Sequence, residues 1–376
     1  MQILPLLHWV PLLLAAGSAM AQTYVVDVNN GPGTHFTNLT AAFAAAPDGA
    51  VLRVRAGNYF EGPRIDNKSL TIQGDPGATV FPPLLSNFYI ENLAPHRVVV
   101  VQGLQLGFGQ AILPALRCRN NQGLVFVDGV SSGQPSALVV EQCAGVMVRG
   151  CQFLGVQTHG LGGASLQQSR VVFDESYVYD LRISGGSTEL ANSSALGFNG
   201  SFGWFTQAIT MNGGELRVLG GTLQAPLYFG ANLGQAIVGT GTAVIDTATN
   251  VLAGLPTYQP GIQVTSVAAP RTRSALPNGS ATVTTTLNGP TGSFGVLAVS
   301  LRSLPYQLLG PDLWWLDGSV MQVQALGALG AGGTLTAWTT LPATTGLAGQ
   351  ALVWQGLTIA SSGAMQLSNP SWFVLR

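Results

Sequence analysis

The sequence predicts an all-β protein: a right-handed parallel β-helix of about nine coils with an N-terminal capping helix, followed by a β-sandwich. Three observations support this prediction. The chain holds 49 glycines and only 8% charged residues, a composition that suits short strands joined by many turns. A short strand frame recurs about every 24 residues through the middle of the chain. After residue 250 this frame ends, and strand-like runs alternate with turns in a different pattern.

The first 21 residues indicate an export signal. The run Ile3–Gly17 is apolar, and Ala19-Met20-Ala21 is a small-x-small cleavage site. Cleavage leaves Gln22 as the first residue of a protein that is secreted or held at the cell surface. A retained membrane anchor is the alternative, because no basic residue precedes the apolar run. No later segment is long and apolar enough to span a bilayer.

A short helix is predicted before the repeat, within Phe36–Gly49. Thr37 or Asn38 can cap its N-terminus, and Pro47-Asp48-Gly49 ends it. The end of a stacked rod exposes strand edges and its core, so we expect this helix to cap the N-terminal end. Apolar residues recur in it at helical spacing, at Leu39, Ala42, Phe43 and Ala46.

The repeat frame reads apolar, any, apolar, any, and then a small or turn-forming residue, as in Val99–Gly103. Side chains of a strand alternate between its two faces, so the first and third positions point to one side. An apolar third position in every copy predicts coils stacked around a common core, and it assigns residues 22–250 to the β-helix. The third positions are Val54, Ile72, Val101, Val127, Val148, Phe173, Leu190, Val218 and Val244.

The stretch Phe36–Gly62 resembles the opening of many pectin-lyase-like proteins, including pectinesterases. It contains Gly57-Asn58-Tyr59-Phe60-Glu61, a Gly-x-Tyr-x-Glu pattern found in enzymes that act on pectin. The resemblance implies the β-helix fold. Pectinesterase chemistry is not expected, because Gln110-Ala111-Ile112-Leu113 only faintly matches the family's Gln-Ala-x-x-Leu motif. The Asp-Phe-x-x-Gly and Arg-Pro-Trp segments of that family are absent.

The Gly-x-Tyr-x-Glu pattern is therefore expected to build a turn. Gly57 would allow the bend, Tyr59 would pack over the end of the coil, and Glu61 would be solvated or bonded to the turn.

The fourth position of the frame faces outward and carries the best polar constellation of the chain. Asp128, Arg149 and Asp174 would stack on successive coils, each about 5 Å from the next, with Asp180 close by in sequence. Two interpretations are open: a catalytic site, or a ladder of charges that neutralise one another. Arg149 already neutralises the carboxylates and so disfavours Ca²⁺. We therefore predict no cofactor and no metal site.

Two groups of aromatic residues are candidate carbohydrate contacts, because aromatic faces stack on sugar rings. The first lies in the glycine-rich insertion Ala195–Gln207, and the second is the pair Trp314 and Trp315 beside Pro311-Asp312. The alternative is that these rings fold back into the core. The first group consists of Phe198, Phe202, Trp204 and Phe205.

The second position of the frame is apolar on four consecutive coils, although it should face outward. Such a stripe is normally covered. We expect a turn insertion or the C-terminal domain to cover it, and a partner chain or a ligand is the alternative. The stripe consists of Val100, Phe126, Met147 and Val172.

Residues 251–376 are predicted to form the β-sandwich. From Gly261 onward there is no Lys, His or Glu, so acid–base catalysis is not expected there. Trp338 and Trp354 lie in alternating runs and are predicted to be core residues. The segment Leu347–Leu375 is similar to a β module that closes many exported bacterial proteins, which implies surface display or attachment.

The charge pattern excludes nucleic-acid binding, because Lys68 is the only lysine and the formal net charge is -1. Cys118, Cys143 and Cys151 permit one disulfide or three buried free thiols, and Cys143–Cys151 is the closest candidate pair.

The leading functional interpretation is an exported, non-catalytic protein that contacts an extracellular polysaccharide or serves as a surface structural module. The alternative is a polysaccharide lyase or glycoside hydrolase that uses the polar constellation.

Overall fold

The protein is described by a computed structural model, which is 59% strand and 2% helix. This composition confirms the predicted all-β class. The structure describes residues 22–83, 86–107, 115–132, 137–153, 156–159, 169–197, 207–228, 231–232, 234–254, 257–276, 281–309, 312–341 and 350–375. The predicted export signal lies outside the described residues.

Successive coils of a parallel β-helix add strands to three parallel faces. Among the described residues, a nine-stranded sheet forms one face, called sheet B below. A 17-stranded sheet forms the other two, called sheets A and C, because the strands Ile209–Leu219 and Ile237–Asp246 run through both. Sheet A contains the recurring frame. Its strands, in order of pairing, are Thr23–Val26, Ala50–Val54, Leu70–Gly74, Val98–Gln102, Leu124–Asp128, Gly145–Arg149, Arg170–Asp174, Ser187–Ala191, the second halves of Ile209–Leu219 and Ile237–Asp246, and Ile262–Val267.

Sheet B shows nine strands in the described residues, which agrees with the prediction of about nine coils. They are Gly57–Tyr59, Ala78–Val80, Gln105–Leu106, Ser131–Ser132, Gln152–Phe153, Tyr177–Tyr179, Ser194–Leu196, Thr222–Gln224 and Asn250–Leu252.

Sheet C is the third face of the coils, and Leu227–Tyr228 forms a separate antiparallel pair with Ala231–Asn232. The strands of sheet C are Arg64–Asp66, Phe88–Glu91, Leu116–Arg119, Leu138–Glu141, Val156–His159, Leu181–Ser184 and the first halves of Ile209–Leu219 and Ile237–Asp246.

The predicted apolar column lies inside the coil, in register from Ile72 through Val218. Its two ends differ from the prediction. At the start, Leu52 and not Val54 pairs with Ile72, although Val54 is also buried. At the end, Ile245 occupies the column and Val244 faces outward, because an offset of one residue turns a side chain to the other face of a strand.

The backbone conformation at the end of the frame explains why a small or turn-forming residue recurs there. It bends the chain from sheet A toward sheet B in the left-handed conformation, which glycine adopts without strain. Asparagine also tolerates this conformation. The residues with positive φ at this corner are Gly103, Gly129, Gly150, Glu175, Asn192 and Gly220.

The predicted capping helix is present at Leu39–Ala45, with Asn38 as its N-cap. The Asn38 side chain accepts a hydrogen bond of 2.8 Å from the Ala41 amide. Leu39, Ala42 and Phe43 are buried against the first coils, and the Phe43 ring lies 5.6 Å from the Phe88 ring, measured between centroids. The helix therefore covers the N-terminal end of the core, as predicted.

The C-terminal module consists of two antiparallel sheets. The threonine sheet is formed by Arg271–Ala275, Thr282–Asn288 and Thr334–Thr340. The covering sheet is formed by Phe294–Leu309, Asp312–Leu316, Gln322–Ala328, Ala351–Ile359 and Met365–Val374.

Between these two sheets lie two apolar clusters, which include Val283, Trp354, Leu287 and Leu297. The predicted sandwich is therefore present. The β-helix extends past residue 250, because Ile262–Val267 still pairs in parallel with sheet A.

The outer face of the covering sheet packs on sheet A. The apolar stripe Val100, Phe126, Met147 and Val172 is buried there among tryptophans and aliphatic residues of the module. The Phe126 and Trp372 rings meet edge to face, 4.9 Å apart between centroids. This confirms the expectation that the C-terminal domain covers the stripe.

Candidate functional site

The outward column of sheet A brings three of the predicted site residues together. Asp128 pairs in register with Arg149, and Arg149 with Asp174, so the predicted stacking on successive coils is confirmed. Gln102 precedes them in the column, and its side-chain amide donates a 2.6 Å hydrogen bond to the Asp128 carboxylate. The column thus runs amide, carboxylate, guanidinium, carboxylate along the β-helix.

The C-terminal module covers this column. The Arg149 guanidinium donates hydrogen bonds to the carbonyl oxygens of Trp372 and Ser274, the latter at 2.9 Å. It also lies 3.7 Å from the centre of the Phe373 ring. The Asp174 side chain is 1% exposed and accepts a 3.2 Å hydrogen bond from the Ser371 hydroxyl. A polymeric substrate has no path to either group in this arrangement.

Burial changes the electrostatics of Asp174. Desolvation of its carboxylate raises the pKa to about 7, and Arg149, 4.0 Å away, opposes this effect without cancelling it. Glu175, the next residue, raises the pKa further. The Glu175 carboxylate is itself paired with Arg149 and, at 2.6 Å, with Arg273 of the threonine sheet. These contacts form a charge network that joins the β-helix to the module.

Asp180 is not part of this network. It occupies a left-handed corner just before the sheet C strand Leu181–Ser184, whereas the other three predicted residues lie in sheet A. Its carboxylate accepts two hydrogen bonds from Arg182, at 2.8 and 3.2 Å. The structure therefore assigns Asp180 to an ion pair on a different part of the coil.

The predicted aromatic contacts divide into two outcomes. Residues 198–206, which contain Phe198, Phe202, Trp204 and Phe205, lie outside the described residues. Trp314 and Trp315 are not exposed on a loop, as the carbohydrate interpretation requires. They lie on the strand Asp312–Leu316 and are buried in the interface with sheet A. Their large apolar area explains this, because it fills the space over the stripe.

Trp338 differs from its prediction in the other direction, because it is exposed where burial was expected. It was predicted to be a core residue but is 69% exposed, while Trp354 is fully buried as predicted. Trp338 lies opposite Thr284 on the outer face of the threonine sheet, and its neighbour Ala337 points inward. An alternating run fits either phase, and only the packing of the partner sheet decides which face is covered.

Trp338 stands on a sheet face that is rich in hydroxyl groups. The outer face of the strands Thr282–Asn288 and Thr334–Thr340 has no charged side chain. An exposed indole beside several hydroxyls offers an apolar platform together with hydrogen-bonding groups. The polar side chains of this face are Thr282, Thr284, Thr286, Asn288, Thr334, Thr336 and Thr340.

Sheet C carries a second charged ladder, which the sequence analysis missed. The Glu91 carboxylate is fully buried and pairs with both Arg64 and Arg119, and the Tyr89 ring lies near both guanidinium groups. Arg117 donates to Glu141 through two hydrogen bonds of 2.9 Å. Alternating arginines in the strand Leu116–Arg119 were the available signal. These carboxylates are neutralised in pairs, which favours a structural role.

Three other kinds of site were considered: a metal site, a reactive thiol and a ligand pocket. The described residues contain no group of three or more His, Cys, Asp or Glu side chains arranged to hold a metal ion. Cys118, Cys143 and Cys151 are free and buried, and burial raises the pKa of each thiol. A pocket at the edge of the interface, lined by Glu189, Arg217 and Trp315 among others, has room for about one water molecule.

In the described part of the chain, no helix has the length and apolar character needed to cross a membrane.

No protein-family model matches the chain, and no curated protein sequence matches it. Among solved structures, a pectin methylesterase from Aspergillus niger is similar at 12% identity and a TM-score of 0.21. The match covers 66% of this chain and 86% of that one.

This identity and this TM-score say nothing about the activity of the chain. The fold is established by the parallel strands that stack from coil to coil. The chain is a parallel β-helix protein, the architecture that its resemblance to pectin-lyase-like proteins implied.

Proposed function

We propose that this protein is an exported, non-catalytic β-helix scaffold that contacts a neutral polysaccharide through the outer face of its threonine sheet. The burial of the sheet A column carries the non-catalytic part of the proposal. Arg149 and Asp174 bond to the C-terminal module and stabilise the joint between the two domains. Export is supported by the apolar run and small-x-small site within residues 1–21.

The threonine sheet supports the choice of ligand. Trp338 supplies a face on which the C–H groups of a sugar ring can stack, and the surrounding hydroxyls can bond to sugar hydroxyls. The two strands nearest Trp338 carry no charge, and Arg271 and Arg273 on the third strand are already paired with Asp246 and Glu175. An acidic polymer would call for unpaired arginine or lysine, so a neutral polymer is favoured.

The alternative, a polysaccharide lyase or glycoside hydrolase, requires Asp128, Arg149, Asp174 and Asp180 around an open groove. In the structure Asp180 lies apart from the other three, and Arg149 and Asp174 are covered. This geometry favours the scaffold.

Binding and turnover are measured together with the mature chain, from residue 22 onward, against a panel of neutral and acidic polysaccharides. We expect retention on a neutral polymer without release of sugar. Trp338→Ala should weaken binding by about fivefold, since an aromatic contact contributes about 1 kcal/mol.

The control for this measurement is Phe60→Ala. Phe60 is an exposed aromatic residue on the β-helix, where it stacks on Phe81, so its loss should leave binding unchanged. Equal binding by Trp338→Ala and the wild type would remove the threonine sheet as the contact. Release of sugar that is lost in Asp174→Asn would establish the enzymatic alternative instead.

A further inference from the structure

The covering sheet leaves part of its outer face exposed. Four large apolar side chains on this part, called the apolar overhang, are accessible to solvent. They lie on neighbouring strands: Leu326 is opposite Val296, and Phe294 and Met365 are both opposite Ile359. The overhang consists of Leu326, Met365, Val323 and Phe294, which are 64%, 50%, 43% and 41% exposed.

The overhang continues an interface that is already formed. Along the strand from Phe294, the alternate residue Ala298 faces the same side and is buried against sheet A. Along the strand from Met365, Leu367 and Trp372 do the same. The covering sheet is therefore longer than the part of sheet A that it covers, and the remaining length presents the same kind of apolar surface.

The strand Gln322–Ala328 is a second indication that this surface contacts another molecule. Among the described strands it pairs only with Phe294–Leu309, so it forms an edge of the covering sheet. Its sequence, "QVQALGA", contains neither a charged residue nor proline, the features by which exposed edges are usually protected. Exposed apolar side chains that lie next to each other on such an edge are typical of an interaction site.

We propose that the apolar overhang is the contact surface of a homodimer, in which it packs against the overhang of a second copy of this chain. A two-fold axis places the same apolar face on both sides, so each copy supplies what the other needs. Two sheets then pack face to face, at the spacing of about 10 Å that is usual for packed sheets. A lipid surface fits less well, because interfacial anchors carry Lys or Arg, and the overhang strands Gln322–Ala328 and Met365–Val374 contain neither.

The test measures the mass of the mature protein in solution by light scattering over a dilution series. The wild type should be dimeric. Leu326→Asp and Met365→Asp should each raise the dimer dissociation constant by about a hundredfold, because every dimer loses the contact twice. Both side chains are at least half exposed in the monomer, so their thermal unfolding should match that of the wild type at monomeric concentrations.

Trp338→Ser is the matched control. It removes a larger exposed apolar group from the other sheet and should leave the dimer intact. The proposal is overturned by a wild type that is monomeric throughout, or by two aspartate variants that dimerise as well as the wild type. A monomer that sediments with neutral phosphatidylcholine vesicles would replace the second copy with a lipid surface.

Discussion

Asp174 shows how one side chain changes its role when its surroundings change. On the sheet surface alone it would be a solvated carboxylate beside Arg149, able to take part in chemistry. Under the module it has lost water and gained the Ser371 hydroxyl as a partner, in addition to the Asn192 side chain of the next coil. Its pKa is raised to about 7, mainly by burial. The folded protein therefore holds the proton on Asp174 more tightly than the unfolded chain does.

This difference predicts a pH dependence of stability. The stabilisation from the protonated carboxyl is complete below the unfolded pKa, near 4, and is lost as the pH rises through about 7. The wild type should lose about 4 kcal/mol over this window relative to Asp174→Asn, whose amide does not titrate. Chemical denaturation at a series of pH values measures the difference. Parallel profiles for the two proteins would show that Asp174 titrates normally.

At the scale of elements, the capping helix is held at both ends by residues of the first two coils. The Glu61 carboxylate accepts hydrogen bonds from the Leu39 and Thr40 amides at 2.6 and 2.7 Å, and so completes the N-terminus. Lys68, the chain's one lysine, donates to the carbonyl oxygens of Phe43, Ala44 and Ala46 at the other end. Both charges have the sign that the helix dipole favours.

The Gly-x-Tyr-x-Glu pattern thus serves the cap. Gly57 has φ +152°, and a Cβ there would lie 2.6 Å from a methyl group of Val28. The Tyr59 hydroxyl donates to the Arg55 carbonyl oxygen at 2.9 Å. Glu61 differs from both roles expected of it, solvation and a bond to its own turn, because its carboxylate bonds to the helix amides. A pattern shared with pectin-active enzymes is here a structural device.

Removal of the Glu61 carboxylate should therefore weaken the cap. Glu61→Ala leaves two helix amides without partners and should lower the free energy of unfolding by about 1–2 kcal/mol. Thermal or urea unfolding measures this loss. Glu215→Ala, at an exposed position of sheet A, is the control and should change stability by about 0.5 kcal/mol at most. A Glu61→Ala protein as stable as this control would contradict the assignment.

At the scale of the whole molecule, the two domains are joined by an apolar interface with a polar border. The stripe and the three tryptophans Trp314, Trp315 and Trp372 form its apolar part. Arg149 crosses the border and bonds to backbone carbonyls of both module sheets, at Ser274 and Trp372. Planar guanidinium groups with several fixed donors suit such a joint, and lysine would satisfy fewer partners.

Arg149→Met should accordingly destabilise the protein far more than the loss of a surface ion pair. It removes the cation beside Asp174 and leaves two buried carbonyl groups without their donor, which costs about 3–5 kcal/mol. Arg53→Met is the control, because Arg53 is mostly exposed where it pairs with Asp75, and it should cost about 1 kcal/mol or less. Comparable unfolding midpoints for the two variants would show that Arg149 does not hold the domains together.

Local rules made much of this architecture predictable from the residues alone. Alternation along a strand assigned the inner column from Ile72 to Val218 and the outward stripe from Val100 to Val172. Capping and turn chemistry located the helix at Leu39–Ala45. Where two phases of alternation fit equally well, as at Val244 and Trp338, the local pattern had no means to choose between them.

By itself, the sequence determined the coil, its core, its cap and the need to cover the apolar stripe, because each depends on neighbours within a strand, a turn or one repeat. The tertiary structure alone decided which polar groups are covered. Ser371 reaches Asp174 across 197 residues of chain, and Trp372 reaches Arg149 across 223. Contacts between such distant segments depend on how two domains pack, and no local periodicity encodes that packing.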